Sequence, residues 1–249
     1  MNRGRVFQPE WRITVFTLVM APLMVGLGFW QLARADEKAA LAADFAAKQV
    51  RPPVSGLALD GLSSADLAYL PVTLEGQLDA ARYFLLDNRL RGGVFGNEVV
   101  EVLSAAHDDR LFLVNRGWVP ADPARLSLPE VERVEGVVRL NGYLYVAPDK
   151  PYLLGEQQLE SGWPKRVQAL EVDVIADALG VSADELYPYP LRLDADSTGA
   201  LLTDWQVLNQ SPAKHTGYAV QWFTMATVLA LFWLARSFRQ RDATDAGDI

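Results

Sequence analysis

Two long apolar stretches dominate the hydrophobic pattern of this chain. Ile13–Ala33 and Thr216–Ala235 contain no Asp, Glu, Lys or Arg over 21 and 20 residues. At 1.5 Å per residue, a helix of either length spans roughly 30 Å, the thickness of the hydrocarbon core of a bilayer. The pattern therefore predicts two transmembrane helices, residues 13–33 and 216–235.

Short apolar runs separated by turn residues fill the chain between these stretches. Leu32–Gln49 first continues the helix until a Pro-Pro pair ends it. Runs typical of strands follow at Val72–Leu78, Tyr83–Leu86, Gly96–Leu103, Arg110–Asn115, Val134–Tyr145 and Trp205–Leu208. Val172–Leu179 reads as one short helix, and the Pro, Asp and Gly content of residues 187–204 indicates a mobile loop. The predicted fold class is a membrane protein in which two transmembrane α-helices flank a mainly antiparallel β (α+β) extracytoplasmic domain, residues 34–215.

The charge distribution orients these elements. Residues 34–215 carry 27 acidic and 17 basic side chains, whereas residues 1–12 and 236–249 each place three Arg beside a predicted span. Basic residues close to the ends of a span favour the cytoplasmic side. We therefore expect a multi-pass protein of a bacterial inner membrane, with both termini cytoplasmic and the middle domain periplasmic. A cleaved signal peptide ending at Ala33-Arg34-Ala35 is the alternative for the first span, and the acidic domain argues against a nucleic-acid partner.

The residue types in the sequence limit its chemistry. The 249 residues include no Cys and only two His, His107 and His215. Disulfides, iron–sulfur clusters, Cys-type copper sites and multi-histidine metal sites within one chain are therefore excluded. The sequence has no nucleophile-elbow, phosphate-loop or zinc-protease motif. We expect no enzymatic role, although acid–base catalysis by a pair of carboxylates stays open.

Polar and aromatic residues gather where the two apolar stretches reach the outer membrane face. His215, Tyr218 and Trp222 are three and four residues apart and form one stripe on a helix. Trp30 and Arg34 emerge from the first stretch at the same face. A neutral imidazole can ligate haem iron, aromatic rings can flank a porphyrin, and a cation can pair with its carboxylates. These five residues form a candidate haem site, for which an aromatic belt with interfacial cations is the alternative.

The segment Leu113–Pro120 is the second candidate site. It reads as a strand that ends in a turn, in which Gly117 permits a close approach or an unusual φ angle. Arg116 and Trp118 then project to a partner or to the membrane surface. An edge turn with a packed Trp is the alternative.

Three separated motifs resemble the surfeit locus protein 1 family. The first is Gly28-Phe29-Trp30-Gln31-Leu32 followed by Arg34 and Lys38, the second is Leu113–Pro120, and the third is His215 with Tyr218-Ala219 and Gln221-Trp222-Phe223. Their order and the predicted topology also match that family. The resemblance covers both spans and the first half of the domain.

The resemblance implies a role in assembling haem–copper cytochrome c oxidases of the haem a type. Bacterial members are implicated in binding haem a and delivering it to the catalytic subunit, and the haem-associated histidine of the family matches His215. Expected partners are oxidase subunit I, other assembly or haem a synthesis proteins, and membrane lipid. The alternative is a non-haem membrane scaffold that stabilises assembly intermediates by protein contact.

Overall fold

The computed structural model describes residues 5–147, 153, 155, 157, 159–205 and 210–240. The chain divides into two compact units. One, here the helical unit, comprises Met1–Asp44 and Gln206–Ile249. The other, here the sheet unit, is Phe45–Trp205.

Two long helices form the helical unit. Helix α1 is Trp11–Gln49, and helix α4, the last helix among the described residues, is Pro212–Ser237. Both are long and apolar enough to cross a membrane, because each contains one of the charge-free stretches. The two predicted helices and the helical extension to Gln49 are thus confirmed, and both helices are candidate membrane spans. The short strands β1 (Arg5–Phe7) and β9 (Phe238–Gln240) pair antiparallel beyond the helix ends.

The sheet unit contains seven strands in one sheet among the described residues. In chain order its elements are β2 (Val54–Ser55), α2 (Ser64–Leu67), β3 (Pro71–Arg91), β4 (Val94–Ala105), β5 (Leu111–Pro120), β6 (Val137–Leu144), β7 (Lys165–Val167), α3 (Val172–Leu179) and β8 (Leu191–Leu193). Most pairings are antiparallel, as predicted; β2 and β7 pair parallel to β3, and β8 pairs parallel to β5. The predicted α3 agrees with the structure at both ends.

Five strands close into a ring in the order β3, β4, β5, β8 and β6, because β6 pairs with both β8 and β3. Alternate residues of a strand point to the same face, so every second residue of these strands lines the interior of the ring. The interior is apolar and includes Leu74, Leu103, Phe112, Leu140 and Leu191. Ring closure removes the exposed edges that an open sheet would present.

Strand β3 is longer than either of the two runs from which it was predicted. The register against β4 shifts between Leu78 and Tyr83, where Asp79 accepts hydrogen bonds from the backbone of Ala81 and Arg82. The second half of β3 continues to pair with β4 but pairs with β7 in place of β6, and α3 packs over this part. One bulged strand therefore replaces the predicted Val72–Leu78 and Tyr83–Leu86.

Two predictions about the end of the domain need revision. The loop predicted at residues 187–204 is wrong, because it contains strand β8, whose Leu191 and Leu193 are fully buried in the ring. The alternation of Leu, Arg and Leu in β8 is too short to stand out among its Pro and Asp neighbours. Of the strand predicted at Trp205–Leu208, Trp205 lies outside any strand and the other three residues lie outside the described part of the chain.

Candidate functional site

A seam of small and aromatic residues joins the two helices of the helical unit. On α4 the buried and half-buried positions recur every three or four residues, at His215, Ala219, Trp222, Ala226, Leu229 and Trp233. This spacing is typical of helices that cross at a shallow angle. Gly28 of α1 is buried in the seam, and a Cβ atom there would lie 2.6 Å from the ring of Phe223. Small residues at such points let membrane helices approach closely.

A hydrogen bond across the seam holds His215. Its Nδ1 atom lies 2.8 Å from Oε1 of Gln31 on α1. An amide oxygen only accepts hydrogen bonds, so Nδ1 donates and carries the proton. Nε2 is then the nitrogen with the lone pair, which is the form of imidazole that ligates a metal.

The contact between Phe29 and Phe223 marks one side of the helix pair, since their ring centroids are 5.3 Å apart. Each residue advances by about 100° around an α-helix. On α1 this rotation puts Trp30, Arg34 and Gln31 about 100–160° around the helix from Phe29.

The same rotation gives the angular positions of the side chains on α4. His215 and Trp222 lie in the seam, about 80–100° around α4 from Phe223, and Tyr218 lies further round in the same direction. Helical rotation therefore puts Tyr218, Trp222, Trp30 and Arg34 beside His215, on the part of the helix pair that faces away from the contact of Phe29 with Phe223; this part is here called the His215 side. Two contacts join side chains of this region, that of His215 with Gln31 and that of Arg34 with Trp30. Trp30 and Tyr218 are about half exposed on it, at 51% and 45%, so aromatic faces are open there to a ligand or to lipid.

Cations lie at the outer end of the His215 side. The Arg34 guanidinium is 2.6 Å from the Glu37 carboxylate and 6.0 Å from the ring centre of Trp30, and its side chain is half exposed. Helical rotation puts Lys38 and Lys214 on the same side and at the same end, and Lys214 is exposed. The end of this surface can therefore attract carboxylates.

The second candidate site differs from its prediction. Residues Arg116 and Trp118 do not project from a turn, because β5 continues to Pro120 and Arg116 is the extra residue of a β-bulge opposite Val99 and Val100. Arg116 is 1% exposed and forms a buried ion pair with Glu101, and the Trp118 indole donates to the Arg89 carbonyl at 2.7 Å. Both side chains are therefore buried in the interior of the sheet unit and do not project from it.

Gly117 behaves as the sequence indicated. Its φ angle is +125°, in the region that favours glycine. A Cβ atom there would lie 2.8 Å from the carbonyl oxygen of Leu202, whose chain hydrogen-bonds to the bulge through Trp118. The bulge and the 197–202 segment therefore hold each other in place.

The sequence pattern assigns Gln31 no role beyond its place in the first of the three motifs. Its signal is that it is the single amide in the first charge-free stretch, where a polar side chain without a partner is costly. The partner across the seam could be identified only from the helix packing.

The sequence profile of the SURF1 family matches residues 18–227, which contain both Gln31 and His215 and the whole sheet unit. This chain belongs to the SURF1 family. The resemblance drawn from three motifs is confirmed, as is the fold class of two candidate membrane helices around a mostly antiparallel sheet.

Relatives of the SURF1 family align along most of the chain. Surfeit locus protein 1 of Rattus norvegicus is 23% identical over 243 residues, which cover 90% of this chain and 76% of the rat protein. A SURF1-like protein of Monosiga brevicollis is 24% identical over 88% of this chain and 85% of its own length. Surfeit locus protein 1 of Homo sapiens is 24% identical over 90% of this chain and 77% of its own length.

Proposed function

We propose that this protein assembles haem a-type cytochrome c oxidase by binding haem a on the His215 side and delivering it to oxidase subunit I. The SURF1 family, to which the chain belongs, is one of cytochrome c oxidase assembly factors. The proposed role is transfer of a cofactor, not catalysis. Other assembly or haem a synthesis proteins are proposed as further partners.

The hydrogen bond between His215 and Gln31 carries this proposal. It leaves Nε2 as the ligating nitrogen of a half-buried imidazole, on a surface that also presents Trp30 and Trp222. Bound haem a would supply the iron that Nε2 ligates. The chain has one imidazole in this region and no thiol, so it offers a single strong axial ligand, which suits a cargo that must be released.

The surroundings of His215 match the rest of haem a. The apolar tail of haem a favours lipid, and the His215 side belongs to a helix pair with an apolar, lipid-compatible exterior. The two carboxylates of haem a would pair with Arg34 and Lys214 at the outer end of the His215 side. Arg34 can exchange Glu37 for such a carboxylate, because a half-exposed ion pair contributes only about 0–1 kcal/mol.

The proposed location is the inner membrane of a bacterium, with the sheet unit in the periplasm and both termini in the cytoplasm. The Arg residues that flank the two candidate spans support this orientation. It puts His215 at the periplasmic membrane face. Protease added to spheroplasts should digest the sheet unit. Full protection of the sheet unit from the protease would contradict this orientation.

Substitution of His215 by Ala is expected to lower the haem-to-protein ratio at least tenfold. The measurement is the absorption spectrum of protein purified in detergent from cells that make haem a. Exposed His107 provides the matched control, and His107→Ala should keep the wild-type ratio. Unchanged haem content in His215→Ala would contradict the ligand role. A wild-type protein that brings down oxidase subunit I without any haem would favour the non-haem scaffold.

A further inference from the structure

We propose that Gln31 is a positioning residue that fixes the tautomer and ring orientation of His215. This inference rests on the proposed haem role of His215 for its functional meaning, but not for its geometry. The observation is the contact of 2.8 Å between the Gln31 amide oxygen and His215 Nδ1, which joins two residues 184 positions apart in the chain.

A ligating imidazole must present one nitrogen without a proton. The hydrogen bond made by the other nitrogen decides which one that is. Because Gln31 offers an oxygen that can only accept, it holds the proton on Nδ1 and keeps Nε2 open. A neutral amide also donates less electron density to the ring than a carboxylate would, which favours the weaker iron bond that a delivery protein needs.

The helix seam keeps the two groups in register. Gly28 and Ala35, which flank Gln31 on the same face of α1, are both buried. Their small size brings the backbones close enough for an amide and an imidazole to meet directly. In an apolar environment either group would be costly to leave unpaired, so the contact has a strong reason to persist.

The first test uses haem-free protein in detergent and reads the tautomer directly. The chain has two His, so ¹⁵N-histidine labelling gives two imidazole spin systems, and His107→Asn leaves that of His215. At about pH 9, where an ordinary imidazole is neutral, His215 should carry its proton on Nδ1. Gln31→Leu should move the proton to Nε2 or mix the two tautomers. A proton on Nε2 in the otherwise unchanged protein would overturn the inference.

The second test measures haem binding by titration of the full chain in detergent. Gln31→Leu should weaken haem affinity by about 10–100-fold, as loss of a second partner of a metal-ligating His does. Gln31→Glu should keep the affinity and lower the midpoint reduction potential of the bound haem, because a charged acceptor makes the imidazole a stronger donor. If Gln31 only stabilised the helix packing, Gln31→Glu would not change the reduction potential of the bound haem. Thr224→Val, a polar-to-apolar change at an exposed position of α4, is the control.

The outcomes separate the two proposals. Equal haem affinity in Gln31→Leu and wild type would overturn the positioning role while leaving the proposed function intact. If wild-type protein takes up no haem, the proposed function fails, and the tautomer measured by NMR still decides whether Gln31 positions His215.

Discussion

Replacing Arg116 with Met is expected to lower the free energy of unfolding of the sheet unit by about 3–5 kcal/mol. The side chains of Arg116 and Glu101 are 1% and 2% exposed, so the substitution leaves a buried carboxylate without its cation. One oxygen of Glu101 already has no hydrogen-bond partner within the described chain. Arg116 also donates from Nε to the Gly199 carbonyl at 2.7 Å, which ties the 197–202 segment to the bulge. Thermal unfolding of the full chain in detergent should show a midpoint about 6–20 °C lower.

The loss of unfolding free energy caused by Arg116→Met should increase with pH. Burial raises the pKa of the Glu101 carboxyl, and Arg116 acts against that rise. Without Arg116, the pKa in the folded protein lies further above the unfolded value of about 4.3. Stability from such a group is present below the unfolded pKa and is lost as pH rises through the folded pKa. The variant should therefore differ least from wild type near pH 4, and the difference should grow as the pH rises.

Two controls test whether burial of the ion pair causes the effect. Arg82 pairs with Asp79 at 2.7 Å but is 49% exposed, so Arg82→Met should cost only about 0–1 kcal/mol. The double substitution Arg116→Met with Glu101→Leu removes both charges and should recover much of the lost stability. If Arg116→Met unfolds at the same temperature as Arg82→Met, the buried pair does not stabilise the sheet unit as argued here.

The helices were predictable because they depend on local composition. A charge-free stretch of 20 residues has few alternatives to a membrane helix, and Val172–Leu179 has its own terminator in Gly180, which takes φ = +75°. The main strands of the sheet were found for the same reason. Their apolar runs are bounded by turns such as Gly92-Gly93, both at positive φ.

Closure of the ring could not be predicted from local patterns. It depends on β8, three residues long, which joins β5 to β6 across a large sequence separation. The burial of Arg116 likewise depends on a contact between strands that are separated in the sequence. A charged residue next to Gly117 reads as exposed until Glu101 of the neighbouring strand is seen to face it.

The site residues were predictable as types but not as a set of contacts. The spacing of His215, Tyr218 and Trp222 predicts one helix face, and the position of Trp30 at the end of the first charge-free stretch predicts the same membrane face. Nothing in either helix alone could pair Gln31 with His215, because that pairing depends on how closely Gly28 lets α1 and α4 approach.

Replacing Gly28 with Leu is expected to lower haem affinity about tenfold or more while the sheet unit stays folded. A Cβ atom at Gly28 would lie 2.6 Å from one ring carbon of Phe223 and 2.7 Å from the next. Overpacking of this kind costs about 1–3 kcal/mol, and 1.4 kcal/mol corresponds to a factor of ten in affinity. The Phe223 ring or the helix that carries it must move to admit the Leu side chain. We expect the longer Leu side chain to shift the helix as well, which separates Gln31 from His215. The measurements are haem titration and the position of the His215 imidazole proton by ¹⁵N NMR.

Gly26, two positions before Gly28 in the same helix, supplies the matched control. A Cβ atom there meets nothing within 4 Å, so Gly26→Leu adds the same side chain to the same apolar segment without entering the seam. It should retain wild-type haem affinity and a proton on His215 Nδ1, whereas Gly28→Leu should lose both. Equal behaviour of the two variants would mean that close packing of α1 against α4 does not hold the imidazole in place. Loss of haem only in Gly28→Leu, with thermal unfolding of the sheet unit unchanged, would instead attribute haem binding to the geometry of the helix seam.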